Sequence, residues 1–228
     1  MSEFTVADLT EALAPGGPGP SQQWARRCAA LLGMAGVAVS ARIDGPELLW
    51  FSDESSAALD DLQFTLGEGP GVEAALSGAL CLVGDLELAP GPRWPAFVPG
   101  ALGLGVRAVF AFPLRLGGIR LGALTGHRRT TRPPVDEEMV AAALTISDAL
   151  AVCLLMSTTD PKHPGQLPGI VDDLHRAEVH QATGMLSEQL NVSLATALDR
   201  LRAHAFATNR PITEVAHDLV TRRLRLRF

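Results

Sequence analysis

The spacing of apolar and polar residues changes about two thirds of the way along the chain. Up to about residue 157, short strand-like apolar runs alternate with helical stretches; beyond about residue 170 every apolar repeat has helical spacing. Ser21 predicts the N-cap of a helix through WARRCAALLGM to about residue 36. A strand over 37–43 follows, and Asp44-Gly45-Pro46 turns the chain into a second strand, ELLWFS. A short helix over about 57–63 leads into LGEGPGVEAAL, a glycine-rich turn opening another short helix. ALCLVGD reads as a strand, and after an irregular stretch rich in Pro and Gly comes a helix over about 94–102. RAVFAFPLRL and IRLGALTGH are two strands around Gly117-Gly118, a hairpin signal. A long helix over about 134–156 closes the unit. The expected fold is α+β, an antiparallel sheet flanked by helices.

Residues 1–20 end in APGGPGP and are expected to form a flexible leader without a helix. STTDPKHPGQLPG has three prolines and no periodicity, and reads as a linker. Beyond it come three helices. The first runs over about 169–190 and stops at Asn191; the second starts from Ser193 as N-cap and reaches about 207. The third opens on Pro211 and reaches about 226. Each carries one apolar stripe, such as Ala197, Leu198, Leu201 and Ala205, so the three must pack together. The expected organisation is a leader over 1–20, an α+β domain over 21–157, a linker over 158–169 and a helical domain over 170–228.

Charge follows the same division. The net charge of −6 argues against a general polyanion binder. Residues 1–160 hold 10 Arg against 18 acids, whereas residues 161–228 hold 9 basic residues against 7 acids and five of the six histidines. The two parts are therefore expected to meet different partners. Cys28, Cys81 and Cys153 form no CxxC pair, which excludes a disulfide framework and a Cys-based zinc knuckle and fits a reducing cytosol. The start, MSEFTVADLT, lacks a signal-peptide pattern, and the apolar run 139–156 is interrupted by Asp148. A cytoplasmic location, away from membranes, is the expectation. With one Lys against 18 Arg, arginine content alone says little about nucleic acid.

The first part resembles a GAF domain, the sensory fold related to PAS. The resemblance is carried by FTLGEGPGVEAAL, the following strand with Asp85, RWPAF, and GVRAVFAFPLRLGGIRLGALTGH. The second resembles an ANTAR domain, a three-helix RNA-binding antiterminator module, through AEVHQATGML, SLATALDRLRAHAFATNRPITEVAHDLV and the RRLRLRF tail. Thr183 stands where that family often has a basic residue. Together they imply a GAF/PAS-like domain followed by an ANTAR-like three-helix bundle, in a regulator that binds paired stem-loops of a nascent transcript and prevents a terminator from forming.

The chemistry of the residues narrows this further. LGEGPG has no following Lys, so it is not a P-loop, and its simplest role is to pack a helix on the sheet. GAF domains border their ligand pocket here, which makes Phe64, Leu66 and Val72 candidate walls, with Trp94 and Phe97 as plug or lid. No cofactor is predicted, although an unidentified small-molecule ligand in this domain is compatible with the resemblance. Cys81 is the nearby thiol a bilin would need and His127 the one histidine a haem could use; a strand-end His is ordinarily a surface residue. No GxSxG, HExxH or EF-hand pattern occurs, so no catalytic or metal-ligating residue is assigned and an enzyme is not expected.

The helix over 134–156 is apolar nearly all round. Val135, Met139, Ala142, Ile146 and Ala149 form the expected homodimer face. The candidate RNA contacts are Thr183, Arg200, Arg202, His204, Asn209, Arg210, Arg222 and Arg223, because a guanidinium forks onto phosphate and stacks on unpaired bases. Asn209 and Arg210 stand out at the break between the last two helices, while Arg222 and Arg223 could instead offset a helix dipole. DNA is not expected, since the break lacks the usual glycine-containing turn. The alternative reading is a GAF-mediated dimer whose helical domain binds a protein partner.

Overall fold

The computed structural model describes residues 4–42, 46–89, 93–131, 136–159, 176–208 and 210–226. Backbone contacts gather into two units that divide near residue 172.

The first unit is a three-layer sandwich. Its strands are β1 (Gly36–Arg42), β2 (Pro46–Phe51), β3 (Cys81–Val83), β4 (Ala108–Leu116) and β5 (Ile119–Arg128). They form one antiparallel sheet in the order β2-β1-β5-β4-β3. The two-residue alternation of β4 sends Phe110, Phe112 and Leu114 to one face and Val109 and Ala111 to the other. On the first face pack α1 (Val6–Leu13), α2 (Gln22–Leu31) and α6 (Glu137–Thr159); on the second pack α3 (Glu54–Leu66), α4 (Pro70–Ser77) and α5 (Phe97–Gly103). Helices thus cover both faces of the sheet, as a sandwich of this kind requires.

Two local expectations are corrected here. The supposed flexible leader contains α1: Thr5 and Asp8 cap it reciprocally, and the glycines and prolines begin only after its end. Leu9 and Leu13 are buried in the core, and the Trp24 indole N–H donates to the Leu9 carbonyl at 3.1 Å. The helix expected over 57–63 is longer, because Asp53 caps it at one end and Gly67 closes it in the left-handed region at the other.

The expected dimer face on α6 is also corrected. Ile146 is 0% exposed and Met139 7%, and both lie in the core, with Ala142 and Ala149 packed against it. That stripe covers the chain's own sheet. The side left to solvent carries Ala141, Thr145, Asp148, Val152 and Met156. Val135 lies outside the described residues. Residues 137–157 are long and apolar enough to cross a membrane, with a mean hydropathy of 2.1, yet the helix is seated on β4 by this stripe.

The second unit consists of α7 (Ala177–Leu190), α8 (Leu194–Ala207) and α9 (Ile212–Val220). Ser193 caps α8 by accepting from the Thr196 N–H, and Asn191 ends α7 with φ at +51°. Val179, Ala182, Leu186, Ala197, Leu201, Ala205, Val215, Ala216 and Leu219 are buried between the helices. Four of these nine are alanines, so the helices approach closely. α9 is shorter than expected: it stops at Val220, with Thr221 as C-cap.

Candidate functional site

Two regions concentrate polar groups against a shaped surface. The first lies on the second face of the sheet, where the glycine-rich turn positions α4. Gly67 ends α3 with φ at +67°, and Pro70 opens α4. Beneath the turn the Gln63 side chain accepts from the Gly71 N–H at 2.6 Å, and a Cβ on Gly71 would stand 2.6 Å from Thr125 Oγ1. The turn thus docks a helix on β5. Glu68 points the other way, and one of its oxygens accepts from the Ala96 and Phe97 N–H groups at 2.8 Å each, holding the start of α5.

Between this turn, α4 and the Arg93–Trp94 segment lies a cleft of about 470 Å³, open to solvent, lined by Glu68, Val72, Glu73, Leu76, Arg93 and Trp94 among others. Arg93 pairs with Glu73 and lies 4.5 Å over the Trp94 ring. Of the expected pocket walls, the structure brings Val72 and Trp94 to this cleft. Phe97 is instead fully buried, edge-on to Trp94 at 6.1 Å between centroids; Phe64 is 3% exposed, and Leu66 packs beside the core. These three line the interior, not the cleft. Burial, aided by the Glu73 charge, pushes the Cys81 thiol up to about 11, and burial pushes Cys28 up to about 12. Both stay protonated at neutral pH and are poor nucleophiles. Among the described residues no cluster of His, Cys, Asp and Glu is placed to hold a metal ion.

His127 is not on the surface. It is 1% exposed on β5, beside Asp53 and Ser56, where a Cβ on Gly36 would meet Ser56 Oγ at 2.3 Å, Asp53 Oδ2 at 2.5 Å and His127 Cε1 at 2.8 Å. Burial holds the imidazole below its usual range; Asp53 opposes this and Arg129 adds to it. The folded state therefore binds this proton more weakly than the unfolded chain, whose histidine titrates near about 6.5. The stability involved is fully present above that value and is lost as pH falls through the folded-state pKa, by up to about 1.4 kcal/mol per pH unit. Urea midpoints of the first unit should drop between pH 7 and pH 5, and His127→Asn should flatten that slope. An unchanged slope in the variant would assign the acid sensitivity to other groups.

The second region is the surface of the helical unit, and here the expected contacts separate by accessibility. Thr183 is corrected: it is 7% exposed, and its hydroxyl donates to the Val179 carbonyl at 2.7 Å, so it faces the bundle interior. Arg210 is held by Asp218 at 2.7 Å, with Glu214 at 3.8 Å, so two carboxylates would compete with a phosphate for it. Arg202 is half-buried against Asp199 at 3.6 Å, and burial lowers its pKa. Arg200 and His204 are half-buried one turn apart on α8, whereas Arg222 and Arg223 are exposed after α9. Asn209 lies outside the described residues.

Two features escaped the sequence reading. Arg176 is 1% exposed at the start of α7, although nothing in its neighbours distinguishes it from a surface arginine. Phe206 on α8 is 61% exposed; its place off the Ala197–Leu201–Ala205 stripe is the signal that marks it.

The GAF domain family matches residues 21–154, and the ANTAR domain family matches residues 174–220. No curated protein matches the chain. Among solved structures, the phycocyanobilin-bound GAF domain from a cyanobacterial phytochrome is similar at 17% identity and a TM-score of 0.52, over 71% of this chain and 100% of that one. The GAF domain of an Acinetobacter phosphoenolpyruvate-protein phosphotransferase is similar at 7% identity and a TM-score of 0.51, over 68% and 93%. At these identities the likeness concerns the fold.

Proposed function

We propose that this chain, which belongs to the GAF domain family and carries an ANTAR domain after it, is a cytoplasmic regulator that promotes antitermination by binding paired stem-loops in nascent RNA. A GAF domain is a sensory module and an ANTAR domain an RNA-binding antitermination module; both are regulatory and not catalytic. The observation that carries the reading is the match of the helical unit to the ANTAR family, with helices α7 to α9 packed around a core of their own. In this reading residues 21–157, with α1 added to them, sense a signal or set a homodimer, and residues 170–228 bind RNA. A dimer would offer two bundles to two hairpins, and tethering raises effective concentration without new contacts. The exposed side of α6, with Ala141, Thr145 and Val152, is the surface that would carry such pairing. The cleft beside Trp94 is where a small ligand would reach the domain.

A second reading, docking of the helical unit on another protein, is favoured by Leu194 and Phe206, each 61% exposed. A salt titration of the full chain against a twin-hairpin RNA, a single hairpin and duplex DNA separates the two. Saturable binding that prefers the twin hairpin and weakens with salt is expected. Equal weak binding to all three, vanishing at moderate salt, would overturn the RNA reading and leave the protein-docking one.

A further inference from the structure

The end of α9 is unusual in which residue it uses. The Arg222 N–H donates to the Leu219 carbonyl at 3.0 Å, and the Arg223 N–H to the Asp218 carbonyl at 2.8 Å. These two bonds are the Schellman closure, whose left-handed position is usually filled by glycine because a Cβ is disfavoured there. In this chain that position is Arg222, with φ at +61°. Asn191, at the end of α7, belongs to the residue types enriched in the left-handed region; arginine is uncommon there.

The segment that follows is anchored. The Leu224 N–H also donates to the Asp218 carbonyl, at 3.0 Å, and Leu226 is 4% exposed. The chain is therefore tied to the end of α9 as a hook that reaches the buried Leu226, and Arg222, Arg223 and Arg225 are exposed along it. None of these three has an ion pair within 4 Å among the described residues, in contrast to Arg202 with Asp199 and Arg210 with Asp218, although the Arg223 charge reaches the Asp218 carboxylate. Offsetting the α9 dipole does not explain the arrangement. The His217, Asp218 and Leu219 carbonyls are already bonded by backbone N–H groups, and Arg223 would supply the charge if residue 222 were glycine. A disfavoured backbone state held by its surroundings, at a solvent-facing cation, points to use of that side chain.

We propose that the hook Arg222–Leu226 is a phosphate-binding element of the RNA interface, and that Arg222 is held left-handed, at a cost to the bundle, to present its guanidinium beside those of Arg223 and Arg225. The inference rests on the RNA-binding reading and deepens it: the leading phosphate contacts lie beyond the last helix, not at the α8–α9 junction. Ordering the three cations before binding lowers the entropy lost on contact.

The test compares the full-length chain with Arg222→Gly and with the double variant Arg223→Gln, Arg225→Gln, by thermal unfolding and by salt-dependent binding to the twin-hairpin RNA. Arg222→Gly should melt about 4 °C or more higher in the helical unit. It should also bind RNA about five- to tenfold more weakly, with the slope of log affinity against log salt reduced by about 0.7–0.9. The double variant should lose about twice that slope without a gain in melting temperature. Arg222→Gly that melts higher with RNA affinity and slope unchanged overturns the proposal; so does one that melts lower. Unchanged RNA binding with weakened binding of poly-glutamate would assign the hook to an acidic protein and equally overturn it. Failure of the RNA-binding reading itself is distinguishable, because the unmodified chain would then show no preference for the twin hairpin.

Discussion

Leu201→Ala is expected to unfold the helical unit and abolish RNA binding while leaving the sensory unit folded. Leu201 is 0% exposed at the middle of α8, and the buried positions one turn away on either side, Ala197 and Ala205, are alanines. Small side chains around it cannot move in to fill the space, so the substitution falls in the costly part of the about 2–5 kcal/mol range for such truncations. A core built by about 50 residues supplies only about 3–5 kcal/mol, which the loss consumes. Calorimetry of the full chain should lose the transition of the helical unit and keep that of the sandwich, and affinity for the twin hairpin should fall at least about 100-fold. A variant with both transitions intact and RNA binding within about twofold of the original would show that α8 is not the keystone of the bundle.

Gly122→Ala should have the opposite distribution, removing the sandwich. Gly122 lies on β5, the middle strand, opposite Ala41 of β1 and Leu114 of β4. A Cβ there would stand 2.0 Å from the Ser40 carbonyl oxygen and 2.8 Å from the Ala41 Cα, both backbone atoms of the neighbouring strand. Side chains can rotate away from a clash; a paired strand cannot, without giving up its hydrogen bonds. The expected cost is above about 4 kcal/mol, among the largest for single substitutions. Gly118→Ala is the control, because at the β4–β5 turn its Cβ would meet nothing within 4 Å. Expression of folded protein and urea midpoints of both variants provide the check. Equal stability of the two would mean that β1 and β5 can separate locally at Gly122 without cost.

Both variants matter for function because they separate the units. RNA affinity retained by a Gly122→Ala chain would place binding in the helical unit alone, whereas its loss would indicate that the sandwich contributes through pairing of two chains.

Caps, turns and repeat spacing act within a few residues, and they were legible in the sequence. Ser21 and Ser193 cap their helices as expected, Gly117-Gly118 turns β4 into β5, and the change of apolar period separates the sheet-bearing unit from the three-helix one. The Thr5–Asp8 cap was equally local and was obscured only by the Pro and Gly that follow it. Accessibility depended instead on partners distant in the chain. A helix as apolar as α6 does not reveal which of its stripes meets the sheet, and contact with β4 selects the one containing Ile146. His127 is buried where β5 passes Gly36 and Asp53, some 90 and 74 residues earlier in the chain. Arg210 loses its place among the free cations because α9 brings Asp218 to within 2.7 Å of it. Arg222 is left-handed where its N–H closes the end of α9 on the Leu219 carbonyl, and no residue in RRLRLRF announces a helix end. By itself the sequence determined the elements, their order and the two families, because backbone preference and hydrophobic period are properties of short segments. Tertiary structure alone decided which side chains remain for a partner, because burial and ion pairing are settled by whatever the fold places alongside.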